Sequence, residues 1–525
     1  MGIYFNPDNE GFKKCSQGRI YMDKSMLIKE MNLVLNDTQN CVAISHARRF
    51  GKTQAAVMLK AYYSKGCDSR ALFEKLEISN SQDWDKYLNK FNVIHLDMST
   101  FAGNHKEDLI EYTTLRIFED ISQEYPTIKY TKDIADLLNK IYNVSKIKFV
   151  IIIDEWDYIV RNHADRQDLV HNYMQFLHDI FKSDESLSFL ALGYITGILP
   201  IKKIKDESAL NNFIELTMIS SQPITQFYGF TEDNVRYLCD KYNANFETIE
   251  KWYNGYLIDR IHMYNPNSVS SAMLRNKIDS YWRNTSAFST INNYISLNMD
   301  GLKDDVVKML AGERVSVNVD TFQNDLSIIN SKDEALTALI HLGYLGYDAR
   351  RKKAFIPNYE VSTAFHAAIQ TGKWHDLAKS LSNADSLLFD TIDGLESSVA
   401  SKIDDAHEAY TSILQYNNEN SLSCVITMAY ATAPAYYNIE RELPTGKGFA
   451  DLVFIPRKDT IDMPAMIIEL KYNHSADTAI RQIKDNRYEG KLTGYADKII
   501  LVGINYDKKT KKHDCKIEVY VGGEI

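Results

Sequence analysis

The sequence predicts an α/β protein in three stretches: an N-terminal module on a parallel sheet (1–228), an α-helical middle region (229–384) and a second α/β module (385–525). Three observations carry this. The first is a polar, basic loop, Ser45-His46-Ala47-Arg48-Arg49-Phe50-Gly51-Lys52-Thr53, between the apolar strand Cys41-Val42-Ala43-Ile44 and the helical run Gln54–Lys60. The second is Phe149-Val150-Ile151-Ile152-Ile153, a β-branched run that ends in Asp154-Glu155-Trp156-Asp157. The third lies near the C-terminus, where Asp451 precedes an apolar strand ending in Glu469-Leu470-Lys471.

With 525 residues the chain is long enough for several cores, and 45% hydrophobic with 25% charged residues is an ordinary globular balance, so nothing forces disorder. The net charge of −10 argues against a globally basic coat, so any nucleic-acid contact must rely on local patches. Six scattered cysteines without a C-x-x-C pair predict neither a zinc site nor a disulfide framework. The start, Met1–Asp8, lacks the basic and apolar regions of a signal peptide, and no run approaches ~18 apolar residues, so the expectation is a cytoplasmic protein without a membrane partner.

In chain order, Gly11–Asn36 has a helical pattern through Met26, Leu27, Met31, Leu33, Val34 and Leu35. The loop follows. A Gly-Lys-Thr at a strand-to-helix junction can place backbone N–H groups and an ammonium around phosphates, with the threonine hydroxyl reaching Mg²⁺. It is the tail half of a Walker A loop; His46 stands where the pattern asks for its first glycine. Phe91–Met98 reads as the next strand, and Leu109–Phe118 as a helix covering it.

The strand ending at Asp154 has the Walker B form. Asp154 would hold Mg²⁺ and Glu155 would orient or deprotonate the attacking water. Strand-end acids cap a following helix equally well. Gly51-Lys52-Thr53 upstream, in the expected order, favours the nucleotide reading. Leu190–Pro200 is another buried strand, with Thr196 where a γ-phosphate sensor belongs or where a turn would satisfy it. Lys202, Lys203 and Lys205 beyond it read as a solvated basic loop or a phosphate contact. From Gly229 helical patterns dominate, and Leu342–Tyr347 with Lys353–Asn358 suggests a small hairpin or winged element.

Arg48-Arg49-Phe50-Gly51-Lys52-Thr53, Asp154-Glu155-Trp156-Asp157, Ile195-Thr196-Gly197, Tyr228-Gly229-Phe230-Thr231, Trp252-Tyr253-Asn254-Gly255-Tyr256, Tyr264-Asn265-Pro266 and Tyr281-Trp282-Arg283-Asn284-Thr285 together resemble the bacterial AAA-ATPase-like family, whose members usually carry a C-terminal PD-(D/E)XK nuclease-like domain. The resemblance implies a P-loop NTPase fold followed by a restriction-endonuclease-like domain, with ATP and Mg²⁺ as cofactors. Arg48, Arg49, Phe50, Gly51, Lys52, Thr53, Asp154 and Thr196 would then bind nucleotide, with Thr53 and Asp154 at its metal. The family pattern prefers Arg-Pro where this chain has His46-Ala47, and Tyr where it has Trp156.

In the last module, a helix is expected around Ala406–Leu414, Ser423–Tyr430 reads as helix or strand, and Tyr437–Glu442, Gly448–Ile455 and Ala465–Lys471 imply a three-stranded meander. Glu469 and Lys471 are two apart and so share a face, opposite Met466, Ile468 and Leu470. Asp451 and Glu469 would ligate Mg²⁺, and Lys471 would hold the attacking water, the set that phosphodiester cleavage needs. Gln482 on the following helix matches a polar residue of the nuclease-like superfamily, and Glu408 is a further ligand candidate or a helix-surface glutamate. From Glu440 to Ile525 there are 15 Lys and Arg against 14 Asp and Glu, so only Lys508, Lys509, Lys511 and Lys512 form a dense basic patch.

The expected function is therefore an ATP-binding and hydrolysing protein coupled to a Mg²⁺-dependent nuclease acting on nucleic acid, DNA in preference to RNA. The alternative is a nucleotide-switched binding or signalling protein with a non-catalytic nuclease-like domain. Oligomerisation is left open. Arg236, Arg260 and Arg283 are arginine-finger candidates by location only.

Overall fold

The computed structural model describes residues 2–104, 108–201, 210–282, 287–297, 299, 301–322, 329–371, 381, 383–411, 419–444, 449–457, 460, 463–488, 492 and 498–521. Lys202, Lys203, Lys205, Arg283 and Gly448 lie outside the described residues. The chain forms two compact units: Met1–Tyr237 with Tyr256–Ser270 and Val317–Lys352, and Leu238–Gly255 with Ser271–Ser316 and Lys353–Ile525. The stretch 229–384, expected as one helical region, is thus divided between them. Among the described residues no helix is long and apolar enough to cross a membrane.

The first unit is built on five parallel strands: β1 (Cys41–Ser45), β2 (Asn92–Asp97), β3 (Phe149–Asp154), β4 (Leu190–Gly197) and β5 (Phe213–Thr217), in the order β2-β3-β4-β1-β5. β1, β3 and β4 are buried along their whole length, because helices cover both faces. Alternate residues serve the two faces. Ala43, Leu96, Ile151 and Ile153 meet α2 (Leu109–Glu124), α3 (Ile134–Ser145) and α4 (Gln167–Phe181), while Val42, Ile44, Val93, Val150 and Ile152 meet α1 (Lys52–Tyr63). The four strands carrying predicted chemistry or flanking it end together, with Asp97 opposite Asp154 and Thr196 opposite Ile44. Ligands of open α/β sheets bind beyond such carboxyl ends.

The N-terminal helical pattern resolves into two helices, Glu10–Ser16 and Leu27–Val34, with Leu33 exposed. Within the stretch after Gly229 that was expected as helix after helix, the chain makes an antiparallel hairpin, Tyr256–Ile258 with Ile261–Tyr264. Its two-residue turn is Asp259-Arg260, both at positive φ (48° and 70°), the geometry that matches strand twist.

The second unit holds a five-stranded sheet of β6 (Tyr437–Pro444), β7 (Phe449–Pro456), β8 (Ala465–Tyr472), β9 (Lys498–Asp507) and β10 (Lys512–Val521), in that order. Only β8 and β9 are parallel; the helix α7 (Ala476–Asp485) makes the crossover between them. One face packs Val453, Ile467 and Leu501 under Ile480 and Ile483 of α7. The other lies under α5 (Glu396–Thr411) and α6 (Glu419–Ala429), where the His407 ring sits 4.5 Å from Tyr506 and the Tyr430 ring 5.4 Å from Phe454. Ser423–Tyr430 is therefore helical over most of its length.

Candidate nucleotide and phosphodiester sites

The loop after β1 is shaped by positive φ at Arg49 (69°) and Gly51 (90°), the latter capping α1. Alternation of right- and left-handed residues turns successive N–H groups to one side, which makes an anion-binding concavity. A Cβ on Gly51 would meet nothing within 4 Å, so backbone conformation rather than crowding calls for glycine here. Lys52 is buried, and its Nζ donates to the carbonyl oxygens of His46 (2.7 Å) and Ala47 (2.8 Å). Burial outweighs the nearby Asp154, Asp157 and Glu155 charges and brings the Lys52 pKa down to about 8. Thr53 is exposed in the first turn of α1, and Arg48 and Arg49 are exposed too.

His46 is wholly buried, and burial, Lys52 and His341 push its pKa down to about 3, so it is neutral. Its Nε2 lies 2.6 Å from Ser221 Oγ, whose own hydroxyl proton goes to the Thr217 carbonyl. Ser221 must therefore accept from His46, which assigns the proton to Nε2. The Tyr228 ring lies 5.2 Å away, and Asp259 in the hairpin turn accepts from Ser221 N (2.6 Å) and Thr225 Oγ1 (2.7 Å). Phe50 does not face the concavity. Its ring is buried with Ala47, Met218, Tyr256, Ile258 and Met263 and so acts as the loop's apolar anchor.

At the end of β3, Asp154 is buried and its Oδ1 accepts from the Thr196 hydroxyl and from Glu155 N (3.0 Å). Strand order explains the contact: β4 lies between β1 and β3 and delivers Thr196 to the same level. Glu155 adopts a positive φ of 50°, which turns its side chain out of the strand; burial together with Asp154, Asp97 and Asp157 raises its pKa against the pull of Arg161. Asp157 is buried, and its Oδ2 accepts from Ile198 N (3.0 Å), Leu199 N (2.9 Å) and Arg161 Nε (2.7 Å). A Cβ on Gly197 would lie 2.6 Å from Trp156 Nε1 and 2.8 Å from Asp157 Oδ1. Gly197→Ala is therefore expected to cost roughly 2–3 kcal/mol, read from the chemical-denaturation midpoint.

In the second unit, Glu469 and Lys471 project from β8 on the α7 side, and Asp451 stands on the adjoining strand β7. Asp451 Oδ2 accepts from Leu470 N (2.8 Å), which fixes it across the strand pair from Glu469. Lys471 Nζ donates to Glu469 Oε1 (3.0 Å) and to the Leu470 carbonyl (2.9 Å). Glu469 is 1% exposed, and among the described residues its Oε2 has no hydrogen-bond partner. Burial first, then Asp451, raise its pKa to about 7 despite Lys471. A carboxylate oxygen left unsatisfied beside a second carboxylate fits a divalent cation. Among the described residues no group of three or more His, Cys, Asp and Glu is arranged to hold a metal, so this pair would share Mg²⁺ with water and phosphate oxygens.

The structure thus brings together Lys52, Thr196, Asp154 and Glu155 in one place, and Asp451, Glu469 and Lys471 in another. Gln482 is half-buried on α7, over the same sheet face as Glu469, and among the described contacts no hydrogen bond joins it to the carboxylates. Glu408 is exposed on α5, which covers the opposite face, so it stands apart from the pair. Arg236 is exposed and paired with Glu232 (2.6 Å), and Arg260 is an exposed turn residue. Two residues whose charges bear on Glu155 were missed, Asp97 and Arg161. The sequence signals were an acid ending the β2 run and an arginine one helical turn after Asp157.

Comparison with known proteins agrees with this division. Residues 10–205 match the family described as predicted AAA-ATPase, and residues 417–515 match the PD-(D/E)XK nuclease superfamily. An uncharacterized protein in the vnfD 5′ region of Azotobacter chroococcum mcd 1 is 20% identical over 496 residues, covering 89% of this chain and 90% of that relative. The structure of the Aeropyrum pernix ORC2 protein (ADPNP-ADP complexes) aligns with a TM-score of 0.30 at 12% identity, over 70% of this chain and 97% of that chain. The chain thus carries an AAA-ATPase-like domain at its N-terminus and a PD-(D/E)XK nuclease superfamily domain at its C-terminus.

Proposed function

We propose that the protein is an ATP-binding and ATP-hydrolysing P-loop enzyme whose nucleotide state licenses a Mg²⁺-dependent phosphodiesterase acting on nucleic acid, DNA in preference to RNA. The observation that carries the nuclease half is the buried Glu469 Oε2, without a hydrogen-bond partner among the described residues, beside Asp451 and with Lys471 on the same face. Mg²⁺ bound there supplies charge neutralisation at the scissile phosphate and lowers the pKa of bound water. Asp451 and Glu469 would hold it, and Lys471 would orient the nucleophile. In the ATPase half, Lys52 and the N–H groups of the loop would cradle phosphates, Arg48 and Arg49 would screen them from the exposed side, and Thr53 with Asp154 would serve the metal. Thr196 keeps the Asp154 carboxylate oriented through its hydroxyl. Glu155 would align the water that attacks the γ-phosphorus and accept its proton as the bond to ADP breaks.

The test is cleavage of plasmid, single-stranded DNA and RNA with Mg²⁺, with and without ATP. Wild type is expected to cut DNA, ATP is expected to change the rate, and Glu469→Ala is expected to lose at least about 10²-fold. No cutting by wild type, or equal cutting by Glu469→Ala, would leave the nucleotide-switched binding protein as the better reading. The near-neutral charge of residues 440–525 is what favours that second reading.

A further inference from the structure

The guanidinium of Arg161 is almost as buried as the carboxylate it meets, with 6% side-chain exposure against none for Asp157. A buried ion pair carries a desolvation cost that simple stability does not explain, since apolar residues of similar volume do as well. The geometry of the pair is asymmetric. Among the described contacts Arg161 is tied to Asp157 through Nε (2.7 Å), Asp157 being the N-cap of the short helix Tyr158–Asn162 that carries Arg161. Its far end reaches on, with Nη2 3.8 Å from Glu155 Oε2. Asp157 is itself clamped by the backbone N–H groups of Ile198 and Leu199, just past the end of β4. The guanidinium is therefore braced against the sheet on one side and directed to the Walker B glutamate on the other.

Glu155 needs such a partner. Its side chain is 44% exposed, it leaves the strand through a left-handed backbone conformation, and Asp154, Asp97 and Asp157 repel it, while Lys52, held by the His46 and Ala47 carbonyls, attracts it without fixing its orientation. A residue needed only to neutralise Asp157 could end where Nε ends. The planar fork beyond Nε is what distinguishes arginine from lysine at this position.

We propose that Arg161 is the positioning residue of ATP hydrolysis: braced by Asp157, it holds the Glu155 carboxylate over the phosphate loop so that Glu155 can align the attacking water. The inference rests on the ATPase reading given above. It acts through Glu155, so removing both residues costs no more than removing Glu155.

Arg161→Lys is the discriminating variant, because its ammonium reaches Asp157 but falls short of Glu155. In the full-length chain, it is expected to keep Tm within about 2 °C and nucleotide affinity within about threefold, while kcat for ATP falls about tenfold or more with KM little changed. In a Glu155→Gln background the same change is expected to cost nothing further. Wild-type kcat in Arg161→Lys, a loss confined to KM, or losses that multiply with Glu155→Gln would each overturn the role of Arg161. Should Arg161→Lys be unstable, Asp157→Asn with Arg161→Met removes both buried charges together and is read on the same criteria. A wild type that binds no ATP, or turns it over independently of Glu155, overturns the ATPase reading itself and is told apart by the first row of the same experiment.

Discussion

Glu469→Gln is expected to abolish Mg²⁺-dependent cleavage and, without metal at pH 8, to make the protein more stable. The folded Glu469 pKa of about 7 lies above its ordinary value of 4.5. Between those values the folded protein keeps a proton that the unfolded chain has lost, so stability declines as pH rises from about 4.5 to about 7. Above that the full cost of about 3 kcal/mol stands. The amide escapes this cost, although Lys471, 3.0 Å from Glu469, loses its counter-charge and offsets part of the gain. A net stabilisation of about 1–2 kcal/mol at pH 8, vanishing near pH 5, is the expected result by urea denaturation. Mg²⁺ should raise wild-type stability more at pH 8 than at pH 6 and leave Glu469→Gln unmoved. A wild-type stability that is flat from pH 5 to 8 would contradict the environment assigned to Glu469.

The second large effect is at Lys52. Saturating ATP with Mg²⁺ at about a hundred times Kd should stabilise the wild type by about 2.7 kcal/mol, a rise in Tm of about 5 °C for a unit of this size. Lys52→Ala is expected to remove this shift entirely, because the ammonium now held by the His46 and Ala47 carbonyls is the group that must turn to phosphate. Its depressed pKa adds a pH signature. Phosphate favours the charged form, so nucleotide binding near pH 8 should take up protons, and affinity should weaken as pH rises beyond 8. Calorimetry in two buffers of different ionisation enthalpy measures the uptake, and an unchanged Tm shift in Lys52→Ala would remove the loop from nucleotide binding.

The strands were legible because burial on both faces leaves a continuous β-branched run, as in Phe149–Ile153, and because a strand buried under α7 on one side leaves Glu469 and Lys471 two residues apart. Arg161 was not legible. Its relation to Glu155 appears only when the short helix after β3 folds back and Asp157 is pinned by N–H groups just past the end of β4. Asp97 is visible as an acid ending its strand, but its place opposite Asp154 needs the β2–β3 register, which no local pattern records. The hairpin at Tyr256–Tyr264 was hidden for a different reason: its turn uses Asp-Arg at positive φ instead of the Asn-Gly or Asp-Gly that signals such turns. The anchoring role of the Phe50 ring was not legible because the residues it packs on, Met218, Tyr256 and Met263, are far away in sequence.

The proton assignment at His46 has a consequence for where the loop's shape comes from. A glycine-rich loop carries its conformation within itself. Here the ring is oriented from outside, by Ser221, Tyr228 and a turn whose Asp259 carboxylate sets Ser221 in place. The loop is therefore not portable: residues 41–63 grafted onto another sheet would lack the template that shapes them.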